Sequence, residues 1–170
     1  MFTVHTTSSA PEGSRDALAA LERNIGFIPN LAATIAGSPV AMSGFVSLQT
    51  ALRGTRLTAL EREVVGVTVS RFNESPYSLA AHSVFASAAG GSDEVIAALR
   101  AGDALDDPRL ESIRAFTQSV LESRGHTSPN GLDAEEALEV VTQIAYTTFA
   151  NLAANVASTP IDDAFAVAAA

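Results

Sequence analysis

The chain has no cysteine, so it forms no disulfide and carries no thiolate, and it suits an oxidising or a reducing compartment equally. Lysine is missing too. Ten arginines stand against 19 acidic residues, for a formal net charge of −9. So acidic a chain is repelled by phosphate backbones and anionic lipid, and neither nucleic acid nor a membrane surface is expected as a partner. No apolar run approaches the roughly 20 residues that cross a bilayer. The opening stretch MFTVHTTSSAPEGSRD lacks the basic start and apolar core of a secretory signal, so a cytoplasmic location is expected. Histidine is scarce. Of His5, His82 and His126, the first and last fall in apparent loops without ligand spacing, so no metal site is expected. Gly90-Gly91 reads as a turn between helices and not as a phosphate loop, and no cofactor is expected.

What is present is a globular composition: 170 residues, 47% hydrophobic and 17% charged, the size of a single domain covering positions 1–170. Apolar residues recur at helical spacing, with no strand alternation. Ala17, Leu18, Leu21 and Ile25 mark a first helix over about 14–24, GFIPN (26–30) breaks it, and a second covers 31–36. Ser38-Pro39 opens a third, to about Arg53. Thr58 with Glu61 forms a capping box for a helix reaching Phe72, and Ser75-Pro76 supplies the N-cap and first-turn proline of the next, which runs to Gly90. Ser92 and Asp107-Pro108 start helices ending near Gly102 and Arg124; GHTSPNG (125–131) is a loop, and Asp133 with Glu136 caps a last helix through about Val156. The expected fold is all-α, with seven or eight helices. Leu138, Val141, Ile144, Phe149, Leu152 and Val156 give the last helix more than one apolar face, as in a central helix or one at a subunit contact.

The stretch NESPYSLAAH (73–82) carries the chemistry. On a helix starting at Ser75, positions 75, 78 and 82 fall within roughly 60° of one another, on one face. Ser75 sits where free backbone N–H groups and the helix dipole favour negative charge. A thiol there would be acidified; a hydroxyl, with its far higher pKa, is not made an alkoxide by the same placement. The preceding helix can deliver a carboxylate to His82, and Glu63 is the best placed. Read from the residues alone, Ser75 is an N-cap, Ser78 a tolerated first-turn residue, and His82 with Glu63 a satisfied buried pair.

The segment LTALEREVVGVTVSRFNESPYSLAAHSVFASAAG, the core motif over 57–90, resembles the alkylhydroperoxidase D-like branch of the carboxymuconolactone decarboxylase family. Its pattern is a glutamate, a Cys-x-x-Cys twelve residues on, and a histidine four residues after the second cysteine. The matching positions here are Glu63, Ser75, Ser78 and His82, and IGFIPNL, SPVAMSGF, LRAGDALDDPRL and STPIDDAF extend the likeness to the peroxidase-related subgroup over nearly the whole chain.

The resemblance implies an alkylhydroperoxidase D-like helical domain that assembles as a dimer, trimer or hexamer and acts on a hydroperoxide or another small organic ligand. It places Ser78 at the peroxidatic and Ser75 at the resolving cysteine position, His82 and Glu63 in the proton relay, and Tyr77 in the pocket. Hydroperoxide reduction needs a sulfur that passes through a sulfenic acid to a disulfide, which serine oxygen does not. Thiol peroxidase activity is therefore expected to be lost or silenced. The serine pair fits an introduced silencing exchange, natural loss that leaves a binding scaffold, or different chemistry on the same relay. That chemistry is either a Ser78-His82-Glu63 nucleophilic array or acid–base work of the lactone-decarboxylase kind, with Arg62 or Arg71 stabilising charge.

Overall fold

The structure, a computed structural model, describes residues 2–129 and 131–168. Among these residues there are eight α-helices and no strand: α1 Glu12–Ile25, α2 Asn30–Ile35, α3 Pro39–Ala51, α4 Ala59–Phe72, α5 Pro76–Ala88, α6 Asp93–Ala101, α7 Pro108–Ser123 and α8 Ala134–Ala157. Two 3-10 segments, Leu52–Gly54 and Asp163–Ala168, complete them. The expected boundaries hold to within two residues because caps and stops are local. Ser38, Thr58, Ser92, Asp107 and Asp133 each accept a first-turn amide through the side chain. Gly26, Gly90 and Gly102 take up positive φ just past helix ends. The expected loop over 125–131 carries no helix, Asn130 lying outside the described residues. No helix among the described residues is long and apolar enough to cross a membrane.

α4 is the central element. Val64, Val65, Val67 and Val69 are wholly buried, and the helix packs on α5, α7 and α8. One hydrophobic cluster joins α4, α6, α7 and the first half of α8 around Leu99, Ile113 and Val140. A second joins α1, α2, α3, α5 and the second half of α8 around Leu18, Met42 and Phe45. α8 is shared by both, as an all-round apolar helix should be, yet Leu138 (68% exposed), Val141, Leu152 and Val156 (70%) stay uncovered on its outer side. The Ser78–His82 stretch lies where α5 meets the second cluster.

The two capping boxes are tied together by a residue the sequence pattern did not single out. Arg109 Nε on α7 donates to Glu61 Oε1 at 2.6 Å and its Nη2 to Glu136 Oε1 at 2.8 Å, so one guanidinium joins the starts of α4 and α8. Burial pushes the Glu61 carboxyl up, but Arg109 and the Thr58 amide and hydroxyl outweigh it and leave it below the usual range. Arg109, then the Asp133 amide, hold Glu136 low as well. A carboxylate depressed in the folded state adds stability that is complete above its unfolded pKa and lost as pH falls through the folded one. Arg109→Met is therefore expected to cost about 1 kcal/mol at neutral pH, discounted for the exposure of the arginine, with the deficit shrinking as pH drops below the ordinary glutamate range. Urea unfolding at neutral and acid pH measures this; an equal deficit at both would refute the linkage.

The turn between α4 and α5 is clamped from α8. Glu74 adopts φ 49°, the left-handed region a non-glycine residue enters only when its surroundings hold it there. The Asn73 side chain donates to Asn151 Oδ1 at 3.0 Å, Asn151 donates to Ser70 Oγ at 3.2 Å, and Asn155 donates to the Asn73 carbonyl at 3.0 Å. After α8 the chain reverses at Ser158, also left-handed, and returns as a strap ending in the Asp163–Ala168 turn. Asp162 fastens the strap: its carboxylate accepts the Asn30 N–H at 3.1 and 3.2 Å and the Tyr77 hydroxyl at 2.6 Å. Phe165 then packs on Phe27, Tyr77 and Phe85.

Candidate functional site

Ser75 stands at the N-cap of α5 with Pro76 at the first helical position, as its sequence implies, but its side chain makes no capping bond. That part of the expectation is corrected. Ser75 is 1% exposed and its Oγ has no hydrogen-bond partner, because it turns into the packed interior and away from the open first turn. Three residues on, Ser78 is 2% exposed and its Oγ is equally unpartnered. An unmet buried hydroxyl costs about 1–3 kcal/mol, so two at one helix start are not there for stability.

One turn further along, His82 Nδ1 lies 2.6 Å from Glu63 Oε2 on α4. Both side chains are largely buried. With Nδ1–H donating to the carboxylate, Nε2 of the neutral imidazole is the acceptor nitrogen. Room for the ring comes from Gly66, three residues after Glu63 on the same helix. A Cβ there would fall 2.7 Å from His82 Cε1 and 2.8 Å from Cγ, and closer still to Nδ1. The imidazole thus lies flat on the α4 backbone, with the Phe85 ring edge-on at 6.2 Å between centroids. A glycine inside a buried helix, where alanine would be favoured by about 1 kcal/mol, was the sequence signal for this contact.

His82 separates two concavities. The inner one, of about 80 Å³, is mostly apolar and is lined by Phe45, Tyr77, Ser78, Ala81, His82 and Phe165 among others. The outer one, of about 230 Å³, is polar and includes Arg53, Arg62, Glu63 and Gln143. Gln49, His82, Phe85 and Tyr146 belong to both walls and form the partition. Burial, with help from the Glu63 charge, pushes the Tyr146 phenol well up, and it stays neutral with Gln49 Nε2 3.5 Å from its oxygen. The Tyr77 phenol is also raised, by burial and then by Asp162, and its hydroxyl is fully engaged between Asp162 and the Leu31 N–H. Tyr77 therefore offers the cavity its ring and not its oxygen.

The four residues singled out by spacing, Glu63, Ser75, Ser78 and His82, are thus all inside, at one helix start and the helix facing it. Ser78 and His82 share no hydrogen bond. Arg62 lies in the outer hollow, but Arg71, the other arginine considered for charge stabilisation, rests its guanidinium against Gly102 at the opposite end of α4. The expectation for Arg71 fails: nine residues along a helix separate its Cα from that of Arg62 by roughly 13 Å. Arg53, Gln49, Tyr146 and Phe165 come from elements distant in sequence and were not foreseen. Among the described residues no group of three or more His, Asp or Glu side chains is placed to hold a metal ion.

The model of the carboxymuconolactone decarboxylase family matches residues 39–119, from the start of α3 through most of α7, and so contains the whole histidine–glutamate pair and both serines. Residues 39–119 carry the sequence pattern of the carboxymuconolactone decarboxylase family. The helical architecture of the chain is that of the alkylhydroperoxidase D core. A peroxidase-related protein of that type from Ralstonia eutropha JMP134 superposes with TM-score 0.85 at 22% identity, covering 96% of this chain and 93% of its own. A peroxidase-related protein from Silicibacter sp. TM1040 gives TM-score 0.79 at 17% identity, with 92% and 88% covered. The debrominase Bmp8, as a cysteine-to-alanine variant in complex with 2,3,4-tribromopyrrole, gives 0.81 at 18% identity, with 99% and 95% covered. At these identities the likeness is one of fold. No curated protein matches the sequence. The segment that matches the carboxymuconolactone decarboxylase family thus presents hydroxyls beside its buried histidine.

Proposed function

We propose that this chain has no thiol peroxidase activity and that its inner cavity binds a small organic molecule between Ser78 and the His82–Glu63 pair. The observation that carries the reading is Ser78, its buried Oγ unpartnered, on the wall of a cavity whose other reactive edge is His82, its Nδ1 already committed to Glu63. A bound polar atom would satisfy the hydroxyl and offset its burial. The loss of peroxide chemistry rests on element identity. In this reading Ser75 and Ser78 occupy the places of the two family cysteines, and no other thiol exists in the chain. That a debrominase of this fold holds a substituted five-membered ring supports a small cyclic occupant. The inner 80 Å³ is near half of the roughly 150 Å³ that hosts benzene, room for about three heavy atoms, so a five-membered ring also extends into the adjoining 230 Å³ hollow.

A second reading, acid–base turnover of the bound molecule, is favoured by the intact histidine–carboxylate pair with Nε2 left as proton acceptor. The hydroxyl-nucleophile reading has less support, since Ser78 is not hydrogen-bonded to its would-be base. The proposal also includes a homo-oligomer, closed through the uncovered apolar side of α8.

Two assays test it. The protein is expected to consume no tert-butyl hydroperoxide beyond the blank with dithiothreitol, and to bind cyclopentanol, seen as a rise in Tm and a calorimetric Kd. Ser78→Ala should weaken cyclopentanol about fivefold, the worth of one hydrogen bond near 1 kcal/mol. Peroxide turnover by the unsubstituted chain, or an affinity indifferent to Ser78, would overturn the reading.

A further inference from the structure

We infer that the outer hollow is an anion subsite and that the ligand is a short carboxylate, its compact apolar body in the inner cavity and its carboxylate on Arg53 and Arg62. The inference rests on the pocket reading above and adds the chemical class of what fills it.

The hollow brings two guanidinium groups together beside the partition, and only one carboxylate, Glu63, shares its lining. Glu63 is already spent, with Oε2 2.6 Å from His82. Arg62 makes one recorded bond, Nη1 to the Leu57 carbonyl at 2.9 Å, which leaves most of its five donors unused. Arg53, exposed at the rim, makes no hydrogen bond or ion pair among the described residues. Arg56, Arg109 and Arg114 each lie within 3.1 Å of a carboxylate of this chain, and what sets Arg53 and Arg62 apart from the other unpaired arginines is that they line one hollow together. The hollow is therefore a local positive spot on a molecule of net charge −9. Over distances beyond roughly 10 Å salt screens the acidic excess, and the two nearby guanidinium groups decide what the hollow attracts.

Geometry selects the shape of the anion. The two concavities share Gln49, His82, Phe85 and Tyr146, so a molecule of modest length can touch both. The inner end accepts apolar bulk and one hydrogen bond to Ser78; the outer end offers planar forks that match a carboxylate. Such a molecule would cross the partition beside His82, whose imidazole faces both spaces. Tyr146, kept neutral by burial, adds no opposing charge there.

Cyclopentanecarboxylate and cyclopentanecarboxamide have the same ring and nearly the same shape, and differ in charge. Titration calorimetry at neutral pH and low salt is expected to show the carboxylate binding about tenfold or more tightly than the amide, as for charge-assisted bidentate pairs. Added salt should narrow the gap. The Arg53→Gln/Arg62→Gln double variant should abolish the preference and leave the affinity for cyclopentanol, which has neither a carboxylate nor an amide, unchanged, which also certifies its fold. Equal binding of acid and amide to the unsubstituted protein, or a preference that survives the double variant, would sink the anion subsite and leave the inner pocket standing. If neither ligand binds and cyclopentanol fails as well, the pocket reading falls and this inference with it.

Discussion

Ser75→Cys/Ser78→Cys is expected to reduce organic hydroperoxides with a dithiol as the electron donor, where the unsubstituted chain does not. A cysteine at 78 would sit in the first turn of α5, where the helix terminus lowers thiol pKa, one turn from an imidazole already oriented by Glu63. Its thiolate would take the terminal hydroxyl of the peroxide as a sulfenic acid while the alkoxide leaves with a proton relayed through His82. The thiolate at 75 would then displace hydroxide from that sulfur, lost as water on protonation, and close a disulfide, which the dithiol reopens. General acid–base help of this kind is worth about 100-fold or more, so His82→Ala in the cysteine form should remove most of the gained rate. Peroxide consumption coupled to dithiol oxidation measures it. A double-cysteine protein that stays at background would mean that the cavity no longer admits a hydroperoxide, and would favour ligand chemistry of the acid–base type.

Gly66→Ala should have the second largest effect, and the sign of its effect on stability is the informative part. If Gly66 were an ordinary helix-interior glycine, alanine would stabilise α4 by about 1 kcal/mol. Its Cβ instead falls inside the space of the imidazole. The ring must swing away, the Glu63 bond breaks, and a mostly buried carboxylate loses its partner. Destabilisation by about 1–3 kcal/mol is expected, together with loss of hydroperoxide turnover in the double-cysteine background. Combining Gly66→Ala with His82→Ala removes the collision, so stability should recover while activity does not. Denaturant midpoints for the three variants decide the matter; a Gly66→Ala protein more stable than its parent would show that the glycine does not seat the histidine.

Helix ends were legible in the sequence because they are decided within four residues. Thr58 with Glu61, Asp133 with Glu136 and Asp107 with Pro108 each act on amides of their own first turn. The site was partly legible for the same reason: positions 75, 78 and 82 share a face of one helix, and Glu63 lies on the next helix in the chain. Ser75 shows the limit. The sequence placed it correctly as a cap residue, but its hydroxyl points inward, which depends on what α5 packs against and not on the tripeptide around it. Arg109 is of the same kind, linking two capping boxes 48 and 27 positions away. The partition and the strap are further out of reach. Tyr146 meets Gln49 across 97 positions, and Asp162 meets Tyr77 across 85 and Asn30 across 132. The acidic IDDAF stretch had no periodicity to mark it, and only the assembled fold reveals Asp162 as a fastener and Phe165 as a wall of the cavity.

That strap sets a clock. One wall of the inner cavity belongs to a C-terminal segment fastened by the Asp162 carboxylate, the buried Phe165 ring and two bonds to its carbonyls, from Asn30 Nδ2 to Pro160 and from Arg100 Nη1 to Ala168, so it can open as a unit at less cost than the helices around it. The backbone amide of Asn30 donates to Asp162 and loses that partner in the same event, while the Leu31 amide keeps the Tyr77 hydroxyl of α5. A molecule bound behind Phe165 would then stay only as long as this segment takes to peel back, and solvent exchange at the Asn30 amide would run on the same timetable.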